Sequence, residues 1–173
     1  MTESPVVRLP PRFLASLSEL CGRAGPDAAS ALREAGRELG ESLVTELPDR
    51  FDPAAASPDE FWEAASGLLA ERGLGRLEVD VRTPSVAELR LEGSPEAAGT
   101  EDGEAPPSCH FATGLLAGLL TAAADEPVPV LQMTRAADDG GACRWLAGPE
   151  PSLEEVRGSL EEGASVREAL ETP

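Results

Sequence analysis

One run constrains the fold more than any other stretch of the chain: Cys109-His110-Phe111-Ala112-Thr113-Gly114-Leu115-Leu116-Ala117-Gly118. It opens on a cysteine and is nearly all apolar or small. An apolar strand pattern follows at 128–133, and the chain then returns through Gly140-Gly141-Ala142-Cys143-Arg144-Trp145. The order helix, strand, tight turn, strand predicts a buried helix over 111–124 lying on an antiparallel hairpin, with a strand at 128–136 and its mate at 142–147. Pro127 closes the helix, and Asp138-Asp139-Gly140-Gly141 supplies the turn. The small residues Ala112, Gly114, Ala117 and Gly118 line one helix face. Such a face admits close packing, here expected on the sheet, or leaves volume for another helix or a ligand.

Upstream, Phe13, Leu14, Leu17 and Leu20 recur at helical spacing and predict an amphipathic helix over 12–23. Gly25-Pro26-Asp27 ends it, with Asp27 expected to cap the next helix. That helix carries an apolar stripe of Ala28, Ala31, Leu32, Ala35, Leu39, Leu43 and Leu47, interrupted by Gly36 and Gly40. The two glycines lie one turn apart and suit the close approach of another backbone, for example the same helix of a second subunit. Ser57-Pro58-Asp59-Glu60 is a helix start, with a capping serine, proline in the first helical position and acids in the first turn. Phe61, Trp62, Ala65, Leu68 and Leu69 form the buried face of that third helix. Leu77, Val79 and Val81, then Val86, Leu89 and Leu91, alternate with polar residues and predict a first hairpin.

The boundaries expected are a flexible lead at 1–11, one α+β domain at 12–148 containing a flexible acidic loop at about 93–108, and a tail at 149–173. In that tail Leu153, Val156 and Leu160 have helical spacing, against which Gly158 and Gly163 count. In all, helices pack on an antiparallel four-stranded sheet.

Composition excludes several function classes. Thirty-two acidic residues face fourteen basic ones, a net charge of −18, so a polyanion is repelled and direct nucleic-acid binding is not expected. No apolar run reaches the roughly 20 residues needed to span a bilayer. The first eleven residues are polar and proline-interrupted, without an export pattern, and a cytoplasmic location is expected. The three cysteines are an odd number, which argues against a disulfide framework and for thiols or metal ligands. Aromatics make up only 3% of the chain and Ile and Tyr are absent, so the core must be built from Leu, Val and Ala. Burial per residue is then modest, and a homodimer would hide further apolar surface.

Ser94-Pro95-Glu96-Ala97 ahead of the helix, together with Cys109, Gly114, Gly118 and Cys143, resembles the 4-vinyl reductase family of small-molecule-binding domains, related in fold to the TRAPP subunits of vesicle-tethering complexes. The resemblance is strongest over 77–146. In zinc-binding relatives, such as the sensor domains of phenol-responsive activators, two cysteines stand where Cys109 and Cys143 do. A glutamate and a middle cysteine of those relatives are replaced here by Gln132 and Arg135. The resemblance therefore implies an incomplete zinc site with Cys109 and Cys143 remaining, because structural zinc wants four thiolate, imidazole or carboxylate ligands. His110 is the only histidine, and as the neighbour of Cys109 on a helix it cannot share one site with it easily.

The function this implies is non-catalytic: a dimeric small-molecule-binding or regulatory domain, holding a small apolar ligand near Phe61, Trp62, Phe111 and Leu116, with no cofactor. Two alternatives stand beside it. One is a TRAPP-like scaffold or assembly subunit with protein partners and no ligand; the other is an accessory protein in tetrapyrrole vinyl reduction, for which the chain offers no nucleotide motif.

Overall fold

Capping and periodicity resolve into six helices and four strands in the computed structural model, which describes residues 10, 12–47, 57–81, 85–97, 109–133 and 143–171. Helix α1 (Phe13–Ala24) and α2 (Pro26–Val44) are separated by Gly25 alone, in a positive-φ conformation. Proline occupies the first position of α2 and Gly25 is its cap; Asp27, expected as the cap, sits inside the first turn instead. The fixed φ of proline favours the first helical position and thereby sets the boundary. Helix α3 (Pro58–Glu71) begins with a complete capping box between Ser57 and Glu60, as its sequence predicts. Strands β1 (Arg76–Val81) and β2 (Ala87–Glu92), helix α4 (His110–Ala124), and strands β3 (Val130–Gln132) and β4 (Cys143–Ala147) follow. The tail is helical, as α5 (Glu150–Glu161) and α6 (Val166–Glu171). The acidic loop beyond Ala97, Arg135 and the Asp138-Asp139-Gly140-Gly141 turn lie outside the described residues.

The sheet is antiparallel throughout, in the order β1-β2-β4-β3. Its register puts Leu77, Leu91 and Cys143 in one row, and Val79, Leu89, Trp145 and Gln132 in the next. Because side chains alternate along a strand, this places one apolar face toward α3 and α4. There Leu68, Leu69, Leu89, Leu91, Leu115, Leu116, Leu119 and Trp145 form the main core. The opposite face carries Leu146 and Leu131, which with Val86 and Met133 pack against Leu153 and Val156 of α5 and Ala169 of α6. Across β1, β2 and the start of β4 that second face is ionic: Arg90 lies 3.6 Å from Glu78 and 3.3 Å from Glu92, and Arg144 lies 3.3 Å from Glu88.

Helix α4 is covered on its far side by α2, and the glycines meet there. A Cβ at Gly36 or Gly40 would fall closer than 3.0 Å to the backbone of Phe111 and Leu115, respectively. One at Gly114 or Gly118 would fall as close to the backbone of Arg33 and Arg37. The four glycines thus mesh reciprocally within one chain. This corrects two expectations: the partner of Gly36 and Gly40 is α4, not a second subunit, and Gly114 and Gly118 face α2, not the sheet. The pairing order, 33 with 114 and 37 with 118, makes the two helices parallel.

Candidate functional site

The first turn of α4 gathers more buried polar chemistry than any other described part of the molecule. Its N-cap, Cys109, makes no side-chain capping bond, and the turn holds no acid of its own. Glu96, fifteen residues upstream, caps it from outside. Its two carboxylate oxygens accept from the amides of Phe111 at 3.0 Å and Ala112 at 2.6 Å. Ser18, the one fully buried residue of α1, donates a third hydrogen bond to the same carboxylate. A helix N-terminus presents free N–H groups and a partial positive charge, which is what makes a buried anion tolerable here. Glu96 is only 1% exposed. Burial pushes its pKa above the ordinary carboxylate value, against the opposing pull of the Ser18, Ala112 and Phe111 hydrogen bonds. The turn 94–97 that carries it is closed by the Ala97 amide donating to the Ser94 carbonyl.

A second chain of bonds ties the same turn to the sheet. The Trp145 indole Nε1 donates to Thr113 Oγ1 at 2.8 Å, and Thr113 Oγ1 donates to the Cys109 carbonyl at 2.6 Å. Cys109 and Cys143 are joined in a disulfide, which links the start of α4 to β4. Both are buried. Replacing Thr113 with valine keeps the shape but leaves the Trp145 N–H buried without its acceptor. Thr113→Val is expected to lower unfolding free energy by about 2 kcal/mol in urea titrations. A change under about half a kcal/mol would mean that the hydroxyl is dispensable to the Trp145 indole.

Of the metal-site expectations, the structure brings Cys109 and Cys143 together, in a bond to each other. Among the described residues no three His, Cys, Asp or Glu side chains converge on a point that could hold a metal. Gln132 stands beside Trp145 in the sheet with a neutral amide, and Arg135 is outside the described residues. The described side chains do not make a zinc site. His110 turns away from Cys109 toward α2, where its Nδ1 lies 3.4 Å from an Arg33 guanidinium nitrogen. Partial burial, then the Arg33 charge, holds its pKa below the usual imidazole value.

The four candidate lining residues belong to one apolar cluster. Leu116 is fully buried within it, and Phe61, Trp62 and Phe111 pack half-buried against it. Phe61 and Trp62 meet edge to face, ring centres 4.9 Å apart. Sequence reasoning missed the parts played by Ser18, Thr113 and Trp145, and saw Glu96 only as one letter of a four-residue element. A threonine one turn after the N-cap cysteine was the available signal, since such a hydroxyl back-bonds to the carbonyl four residues earlier.

Several solved structures share this architecture. The phenol-responsive sensory domain of the transcription activator PoxR, solved with phenol, superposes with a TM-score of 0.66 at 17% identity, over 94% of this chain and 86% of that one. A vinyl-4-reductase family protein from Methanocaldococcus jannaschii gives 0.51 at 18% identity, over 84% and 83%. A trafficking protein particle complex subunit 3 from Naegleria fowleri, covalently bound to palmitic acid, gives 0.56 at 12% identity, over 80% and 91%. No family model and no curated protein matches the sequence. With helices on an antiparallel β1-β2-β4-β3 sheet and these three neighbours, the chain has the TRAPP-like fold shared with 4-vinyl-reductase domains.

Proposed function

We propose that this chain is a non-catalytic regulatory domain that binds a small apolar molecule and acts as a homodimer. The observation that carries the reading is that Phe61, Trp62 and Phe111 pack only half-buried against the apolar cluster that contains Leu116. It offers aromatic surface that has not been fully used in packing, where an apolar ligand would displace water from rings. Two neighbours of the same fold were solved with phenol and with palmitic acid, which supports that ligand class. No step of covalent chemistry is assigned. Neither a zinc ion nor another cofactor is part of the reading. We place the domain in the cytoplasm; no described helix is long and apolar enough to cross a membrane.

A scaffold role without ligand is the second reading, favoured by α1. Phe13 is 43% and Leu20 57% exposed on that helix, apolar surface of the sort that protein partners cover. Native mass spectrometry of the purified protein separates the two. The expected result is a dimer carrying additional mass that is lost on denaturation. A dimer of bare chains that also fails to respond to phenol or palmitate in tryptophan fluorescence moves the assignment to the scaffold, and a bare monomer sinks both.

A further inference from the structure

Helix α1 is attached to the rest of the molecule in an unusual way. Of its large apolar residues Phe13 and Leu20 face outward and Leu14 and Leu17 are only half-buried, and its one fully buried residue is Ser18, 2% exposed. The Ser18 hydroxyl binds the Glu96 carboxylate, the group that caps α4. Otherwise α1 packs on α2. A twelve-residue helix with no side-chain cap is marginal by itself and holds its shape through its docking. Between α1 and α2 stands a single residue, Gly25, with φ 111° and ψ 179° and nothing within 4 Å of where a Cβ would sit. That backbone region is open to glycine alone, and the surrounding space leaves it free to turn.

We infer that α1 is a releasable lid, hinged at Gly25 and latched by the Ser18–Glu96 hydrogen bond, over the Cys109 end of α4. In the latched state Glu96 is sealed from water. When α1 swings away, the carboxylate and the first turn of α4 become accessible while α2 and α4, locked by their glycines, stay in place. No large apolar side chain of α1 is fully buried, Leu14 and Leu17 being only half-buried, so the helix opens below the free energy of global unfolding. The inference does not rest on ligand binding or on dimerisation.

Hydrogen exchange of the full chain, read by mass spectrometry, tests it. In the wild type, amides of residues 13–24 are expected to exchange at least tenfold faster than those of α2 and α4, in a phase separate from global unfolding. Ser18→Ala, which removes the latch, is expected to speed exchange in 13–24 by roughly tenfold more and to leave α2 and α4 unchanged. Equal protection of α1 and α4 in the wild type overturns the lid, and that comparison stands even if the variant fails to fold. So does acceleration by Ser18→Ala spread evenly over α1, α2 and α4, which would make Ser18 an ordinary part of the global core.

Discussion

Alanine at Gly114 is expected to cost about 4 kcal/mol or more, enough to leave little folded protein. The added methyl would meet the Arg33 backbone of α2 closer than 3.0 Å and the Arg37 amide nitrogen at 3.0 Å, and backbone cannot rotate away as a side-chain tip can. Relief requires the two helices to separate. Separation is costly because α4 is buried along most of its length, from Ala112 to Leu120, and carries Leu115, Leu116 and Leu119 into the main core. Gly36, Gly40 and Gly118 meet backbone at similar range, so alanine at each should have a comparable effect. The control is internal. Gly67 in α3 and Gly158 in α5 have nothing within 4 Å of a built Cβ. Alanine there should stabilise by about 0.5–1 kcal/mol through helix propensity. Urea titration of Gly114→Ala beside Gly158→Ala decides the matter: two variants within about 1 kcal/mol of each other would mean that α2 and α4 are not in backbone contact.

The same glycines show where sequence reading stops. Spacing of four residues signals that something comes close, because only a missing Cβ lets backbones touch, but it does not name the partner. Gly36 and Gly114 are separated by the whole of α3 and the first hairpin, and nothing local in either helix specifies the other. The hairpins were legible because alternation of Leu77, Val79 and Leu89, Leu91 with charged residues fixes which face is buried. The joining of β2 to β4 was not, since both strands offer the same apolar rows to any neighbour. In the tail, Gly158 argues against a helix on propensity. It falls on an exposed position of α5, while Leu153 and Val156 are buried against Leu146 and Met133 and decide the outcome. At the site, the divergence of His110 from Cys109 follows from helix geometry, whereas the meeting of Cys109 with Cys143 on β4 was legible only through the family resemblance. The role of Glu96 does not, because a carboxylate reveals its use only when the amides it will cap are brought to it from another element.

Removing that carboxylate gives the second large effect. Glu96→Ala leaves the Phe111 and Ala112 amides and the Ser18 hydroxyl buried without their acceptor. The expected loss is about 3 kcal/mol, since charge-assisted bonds to a helix N-terminus are stronger than neutral ones. Glu96→Gln keeps the volume but turns an NH2 group toward one of the two amides, and about 2 kcal/mol should be lost. The pH dependence then distinguishes the charge from the shape. The folded pKa of Glu96 lies above its unfolded value, so the folded state holds this proton more tightly. Its stabilising contribution is complete below the unfolded carboxylate pKa, near 4.5, and disappears as pH rises through the folded pKa. Acidification from neutrality into that window therefore stabilises the wild type relative to Glu96→Gln, and the gap between the two variants widens as pH falls. The exposed carboxylates Glu34, Glu60 and Glu168, whose pKa values are lowered by hydrogen bonds to Arg37, Ser57 and Ser165, act in the opposite sense. They are common to both proteins and cancel in the difference. Urea midpoints of the pair taken from pH 7 down to about pH 4, below the unfolded pKa, read this directly. A constant gap would mean that Glu96 titrates in the folded protein as it does in the unfolded chain, and that the amides of α4 offset its burial completely.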